Sequence, residues 1–280
     1  GGTQATQEFI HLVLTSVTGD FMKVNQQIVR QVANAIAIVA AFGVNVLANV
    51  RPIGGLTLGE ISNQLFANVL ITPARYAFAI WGLIYLGLFS FAIYQALPSQ
   101  REKPVFERIS YWLVTASVIQ IGWIFVFQSR GFAWSFLLMV LILLSLLRVY
   151  SQLKVNRRRI SRRERWCVEI PISIYFAWIS VATVVNGAVA LTAGGWSGWG
   201  ISPEVWTVMM MIIAGAIALI INILKQDLAF TGVFIWALIA IALRHRDLLP
   251  IFITGIVLAL ILGASITWNL YQQRRQKPLP

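Results

Sequence analysis

Apolar stretches long enough to cross a bilayer recur along the whole chain, and no other feature constrains the fold as strongly. A membrane-spanning helix needs about 20 predominantly apolar residues. Eight such segments can be marked, at 29–50, 76–97, 110–127, 132–152, 168–191, 204–224, 228–243 and 249–270. The seventh is the shortest and fits a span with little tilt or a re-entrant segment. Asp and Glu number 10 and Lys and Arg 22 among 280 residues, too few to coat a soluble protein, while 58% of the chain is hydrophobic. The fold class expected is all-α: a polytopic membrane helix bundle of about eight transmembrane helices.

Charge then sets an orientation. With the N-terminus inside, the inner segments hold Lys23 and Arg30, then Arg101, Lys103 and Arg108. They also hold Arg148, Lys154, Arg157, Arg158, Arg159, Arg162, Arg163 and Arg165, then Lys225, Arg274, Arg275 and Lys277. Only Arg51, Arg75, Arg130, Arg244 and Arg246 fall outside, a split of 17 to 5. The positive-inside rule therefore predicts an integral membrane protein with both termini inside. The net charge of +12 does not argue for nucleic acid, because the basic residues sit in short loops between spans; the partners expected are membrane lipids, not DNA or RNA. The run Arg157–Arg163 reads equally as a topology signal and as an anchor to anionic lipid. Residues 1–28 read as an N-terminal tail, with Met22-Lys23 resembling a natural start.

Several classes of chemistry are disfavoured. Cys167 stands alone, so no disulfide or paired-thiol metal site can form within the chain. The two histidines, His11 and His245, lie outside the spans, unlike the facing histidines of haem and metal bundles. The acidic groups nearest the bilayer, Glu169, Glu204 and Asp227, lie at span ends, whereas ion-coupled pumps keep an ionisable group near the midplane. No hydrolase triad or phosphate-binding loop is visible. No catalytic residue and no metal site is expected.

What the spans do carry is aromatic rings and carboxamides. Trp81 and Tyr85 are one turn apart on the second span, and Gln120 and Trp123 share a face of the third. Tyr175, Trp178, Ala182 and Asn186 share a face of the fifth. Indoles and phenols in hydrocarbon need partners for their polar atoms, which favours an inward-facing wall suited to a planar, mostly apolar ligand. Interfacial belts and core filling are the plainer explanation of most membrane tryptophans. Stripes of small residues (Ala33, Ala37, Ala41, Asn45 and Asn49; Ala182, Asn186 and Ala190; Gly255, Ala259, Gly263 and Thr267) predict close helix contacts. The connection 51–75 is long enough to serve as a lid.

These residues also carry a resemblance. The run Pro73-Ala-Arg-Tyr76-Ala-Phe78-Ala-Ile-Trp81-Gly-Leu-Ile-Tyr85 is similar to the start of the second helix in the TspO/MBR family of tryptophan-rich sensory proteins. That family has Pro-x-x-Trp-x-Phe and then Trp-x-x-Leu-Tyr; here Tyr76 replaces the first Trp and the Phe–Trp spacing is one residue shorter. Gln120-x-x-Trp123 with Phe127 resembles the family's Asn-x-x-Trp and trailing Phe. Tyr175-x-x-Trp178-x-x-x-Ala182-x-x-x-Asn186 matches the fifth-helix pattern at full spacing, although the proline that directly precedes that Tyr in the family is absent.

The resemblance implies a five-helix TspO-like core over 29–192 and three additional helices with a basic tail over 193–280, as in a C-terminally extended branch. It implies an apolar cavity under the loop between the first two helices, which in such proteins takes tetrapyrroles such as protoporphyrin and in some cases sterols. Trp81, Tyr85, Gln120, Trp123, Tyr175, Trp178, Ala182 and Asn186 become the candidate ligand-binding residues, with a bound tetrapyrrole or lipid as the only cofactor in view. The chain then reads as a membrane receptor or carrier for a porphyrin or sterol-like molecule. Two other readings are an assembly subunit, docked through its extra helices as a homodimer or in a larger membrane complex, and an enzyme of porphyrin breakdown. Leu147, Tyr150 and Lys154 match a sterol-binding pattern that a membrane-interface Tyr beside a basic loop explains more cheaply.

Overall fold

Each apolar segment forms a helix in the computed structural model, which describes residues 2–155 and 160–275, with side chains described over 25–153 and 160–275. Arg157, Arg158, Arg159 and Lys277 lie outside the described residues, as do the side chains of Lys23 and Lys154. The long helices are α1 (Gly2–Val50), α2 (Ile80–Ala96), α3 (Pro104–Gln128) and α4 (Phe132–Val155), then α5 (Ile170–Ala193), α6 (Pro203–Lys225), α7 (Leu228–Arg244) and α8 (Leu249–Arg275). Among the described residues, seven apolar helical segments are long enough to cross a membrane. The stretch read as a tail continues the helix of α1 at the backbone level; with no proline in it, nothing in the sequence breaks the hydrogen-bond ladder.

The chain boundaries follow from local chemistry. Pro104 and Pro203 sit in the first turns of α3 and α6, where a missing N–H costs nothing. Ser202 and Asp227 accept hydrogen bonds from Val205 N–H and Phe230 N–H to cap α6 and α7. Before α5 the helix widens into a π turn over Arg165–Glu169, just ahead of Pro171, which has no N–H for the carbonyl four residues back.

The helices alternate in direction. At one end, Gln31 and Gln95 exchange amide-to-carbonyl hydrogen bonds, Lys103 pairs with Glu164 at 2.8 Å, and Asp227 binds Tyr150 and Ser173. At the other, Gln128 donates to the Ala48 carbonyl and Arg244 to the Thr72 carbonyl. Among the described residues, Arg30, Arg101, Lys103, Arg162, Arg163, Arg165 and Lys225 therefore lie toward the first end.

Five helices close a ring: α1 packs on α2 and α3, α3 on α4, α4 on α5, and α5 back on α2. The closing contact needs a glycine, because a Cβ on Gly87 would lie 2.9 Å from Pro171 Cβ and 3.3 Å from its Cα. The remaining helices form a second unit in which α6, α7 and α8 pack on one another and α7 alone lies broadly against α5. At 17 residues, α7 is about 25 Å long, short of the roughly 30 Å hydrocarbon core. It is also largely buried, with Phe230, Val233, Phe234, Ala237 and Ala240 all enclosed, so its neighbours meet the lipid in its place.

The expected small-residue stripes hold in part. Ala37, Ala41 and Asn45 are buried on α1. On α8, Gly255 and Ala259 are packed, but Thr267 is exposed and the buried face continues instead through Leu262 and Asn269.

Candidate ligand site in the helical core

The connection between α1 and α2 folds into short helical turns, Ile53–Gly55, Leu58–Glu60 and Ile61–Leu65. A reciprocal capping box holds it, in which Thr57 accepts from Glu60 N–H and the Glu60 carboxylate accepts from Thr57 N–H at 2.9 Å. These bonds from Thr57, with Arg75 3.3 Å away adding to them, keep the Glu60 carboxyl below the usual carboxylate range. Leu58, Ser62 and Pro73 of this connection roof a cavity of about 30 Å³ inside the five-helix ring.

The ring brings five of the eight sequence-derived candidates together around that cavity. Trp81 comes from α2, Trp123 from α3, and Trp178, Ala182 and Asn186 from α5. The spacing of four between Trp178, Ala182 and Asn186 aligns them on one face, as expected. Phe78 meets Trp178 edge-on at 6.0 Å and Trp123 stacks on Phe127 at 5.4 Å. Two buried donors in this wall, Trp123 Nε1 and Asn186 Nδ2, have no hydrogen-bond partner. Asn186 Oδ1 is already engaged by Ser135 Oγ at 3.2 Å. Buried N–H groups of this kind seek an acceptor, whether water or a ligand oxygen.

Tyr85, Gln120 and Tyr175 go elsewhere. Gln120 Nε2 donates to Tyr85 Oη at 2.8 Å, Tyr175 Oη donates to Gln120 Oε1, and Tyr85 Oη donates to the Ala41 carbonyl at 3.0 Å. That chain ties α1, α2, α3 and α5 with its polar groups spent on one another, and none of the three lines the cavity. Trp81 bridges the two sets, stacking on Tyr85 at 5.8 Å and meeting Tyr175 at 6.2 Å.

Residues that spacing did not single out complete the wall: Leu58 and Ser62 from the roof, Phe78, Phe127, Met139 and Val189. Phe78 and Phe127 belong to the motifs that carried the resemblance, so a signal for them existed. Met139 lies in an unbroken apolar run and Leu58 and Ser62 in a connection, where nothing local marks them.

A family model described as TSPO-like protein matches residues 31–268. The chain belongs to the TSPO-like family. The match runs through α6, α7 and most of α8, so the TSPO-like pattern covers both the ring and the unit docked on it. No curated protein and no solved structure matches the chain. Among the described residues, no three His, Cys, Asp or Glu side chains are grouped to hold a metal ion.

Proposed function

We propose that this TSPO-like protein is a membrane receptor or carrier for a planar hydrophobic ligand of the tetrapyrrole kind, taken into the cavity of the five-helix ring. The observation that carries this reading is one wall in which three indoles and the small side chain of Ala182 surround two unpartnered N–H donors, on Trp123 and Asn186. The rings supply stacking faces, Ala182 leaves room for a flat body, and the donors suit a ligand carboxylate or ring-edge oxygen. At about 30 Å³ the cavity is far below the roughly 300–1,000 Å³ of ligand-filled sites. Binding therefore requires the 51–75 connection to lift and Phe78 and Met139 to swing aside.

The same small volume favours a second reading, in which side chains fill the ring and the protein acts as an assembly subunit. Porphyrin titrations of detergent-solubilised protein separate the two. Under the first reading, Ala182→Phe and Trp178→Ala weaken binding by roughly tenfold or more, equivalent to about 1.4 kcal/mol. Leu260→Ala, at a lipid-facing position with 67% exposure, leaves it unchanged. Equal affinity in all four proteins would remove the ring as the ligand site. No binding in wild type, together with a stoichiometric membrane partner, would favour the assembly role.

A further inference from the structure

A cavity of about 480 Å³, far larger than that in the ring, lies outside it. Consecutive antiparallel helices normally pack together, yet α6 stands off α5 while packing firmly on α7 and α8. An aromatic cluster occupies the α5–α6 turn. Trp196, Trp199 and Trp206 pack against one another with ring centroids 5.3–6.1 Å apart, and Trp206 Nε1 donates to the Gly198 carbonyl at 2.9 Å. Trp199 adopts φ +53° and is flanked by Gly198 and Gly200, both at φ +77°, so the turn is set in a shape that an ordinary connection would not choose. The indole cluster sits as a wedge at the end of the gap between the two helices, with Trp196 and Trp206 lining it and Trp199 exposed.

Behind the wedge lie two spaces of about 480 and 290 Å³ that share Ile71, Thr183, Val184 and Met210 in their walls. Along α5 they extend from Thr192 to Phe176, about 24 Å at the helical rise. That exceeds the roughly 15 Å depth of one leaflet's hydrocarbon. The lining contains no Lys, Arg, His, Asp or Glu. Midway, Ser180 and Thr183 spend their hydroxyls on carbonyls of their own helix, so the body of the space offers no free donor. Further polar side chains, Asn68, Thr192, Ser197 and Thr207, gather at the wedge end. The flanks open toward lipid, with Leu144 and Leu147 of α4 and Ile213 and Ile217 of α6 all exposed.

We infer that this space is a binding site for one acyl chain of a bilayer phospholipid, with the headgroup at Asn68, Thr192 and Ser197. Length, apolar walls, polarity at one end and lateral access each match such a chain. The uncharged lining does not match a dicarboxylate macrocycle, which is better served by the free donors in the ring. An apolar space this large is costly to leave empty, and a lipid tail is the apolar body most abundant in the surrounding solvent. The site also bears on the ring cavity. Val69, Leu70 and Ile71 form part of its wall, while Pro73, two residues further on, roofs the ring. A bound chain therefore braces the back of the same connection that closes the ring cavity. The inference stands independently of what the ring binds.

The test uses the full chain in phosphatidylcholine nanodiscs containing a lipid with a diazirine at mid-chain, followed by peptide mapping of the photo-adducts. Wild type is expected to concentrate adducts on the 183–192 face of α5 and on 207–210 of α6. Ala188→Phe and Met210→Trp, which fill the space from opposite helices, should cut those adducts roughly tenfold while the melting profile and elution volume stay near wild type. Ala182→Phe, which points into the ring, should leave them intact while abolishing any porphyrin binding, so the two sites fail separately. Adducts spread evenly over α1, α6 and α8, or unchanged by both filling variants, would mean ordinary annular lipid and overturn the site. Labelling by a sterol diazirine in preference to the acyl probe would overturn the acyl assignment.

Discussion

The five-helix ring and the unit built from α6, α7 and α8 solve the same problem in different ways. Lipid tails are as apolar as leucine, so helices in a bilayer gain little from hydrophobic contact and must associate through close packing or hydrogen bonds. The ring uses hydrogen bonds from side chains across helices: Gln31 with Gln95, Gln120 with Tyr85 and Tyr175, Gln128 with Ala48, and Ser135 with Asn186. The second unit relies mainly on steric fit. Gly215 meets Leu258, Gly255 meets Ala242 and the Leu238 carbonyl, while Asn222, joined to Ser265 and Asn269, and the exposed pair Gln273–Gln226 add the polar links. The unit is fastened to the ring through α7, by Asp227 at one end and Arg244 at the other. Close packing is intolerant of added volume, whereas a hydrogen-bonded seam tolerates volume but not the loss of a partner. The two halves should therefore break under different substitutions.

The largest effect is expected at Gly255. A Cβ there would lie 2.9 Å from both Ala242 Cβ and the Leu238 carbonyl oxygen, and 3.0 Å from Met211 Cε. Because one of those atoms is backbone, α8 must move as a body. Gly255→Val should cost at or above the upper end of the about 1–3 kcal/mol seen for overpacking. It should release α8 without disturbing the ring, read as new protease cleavage after α7 and a lowered thermal midpoint, with porphyrin affinity unchanged. Loss of the ring at the same temperature would mean that the halves are one cooperative unit and would weaken the comparison.

A smaller effect is expected at Gln120, which accepts from Tyr175 and donates to Tyr85. Interhelical hydrogen bonds in membranes average about 0.6 kcal/mol each by double-mutant cycles. Gln120→Leu, nearly isosteric, should thus cost only about 1 kcal/mol, plus a penalty for the phenol of Tyr175, which is 0% exposed and loses its acceptor. Tyr175→Phe in the same background should recover part of that loss, because it removes the orphaned hydroxyl. Additive costs would show that the three groups do not act as a chain.

The helices were legible because each apolar run must satisfy its backbone within itself; even α7 could be bounded, since Gln226-Asp227 and Arg244-His245 interrupt the hydropathy at both ends. The wall formed by Trp178, Ala182 and Asn186 was legible for the same reason, as spacing within a single helix decides it. Tyr85, Gln120 and Tyr175 were read into the same wall because periodicity reports a face and not what that face meets. Whether a polar tip reaches a cavity or another tip depends on how neighbouring helices are rotated, which a single helix does not encode. The space between α5 and α6 was hidden for a related reason. Its end is framed by Trp196 and Trp206, which in sequence look like part of an ordinary interfacial aromatic belt.

The smallest effect concerns the latch between the two halves. At the C-terminal end of α7, Ala240 accepts from Ala74 N–H at 3.1 Å and Arg244 donates to the Thr72 carbonyl at 3.0 Å. His245 follows directly, with the backbone of Leu70 beside it, so this end of α7 abuts the connection that roofs the ring. Partial burial, and then the neighbouring Arg244 charge, push the His245 imidazole below its ordinary value, and the nearby Leu70 backbone opposes them only in part. A histidine depressed in the folded state binds fewer protons than in the unfolded chain. The latch is therefore at full strength above about pH 6.5 and weakens as pH falls through the lower folded value. The group is substantially exposed, so the change should be slight, visible as local opening and not as unfolding. The Ala74 amide is the natural reporter, since its bond to Ala240 joins the two halves directly. Its hydrogen exchange, corrected for the intrinsic pH dependence, should be faster at pH 5.5 than at pH 7.5 in wild type. In His245→Gln, which keeps a polar side chain beside Leu70 but cannot charge, the two corrected rates should coincide. A pH response that survives this substitution would assign the sensitivity to another group and leave the latch indifferent to protonation.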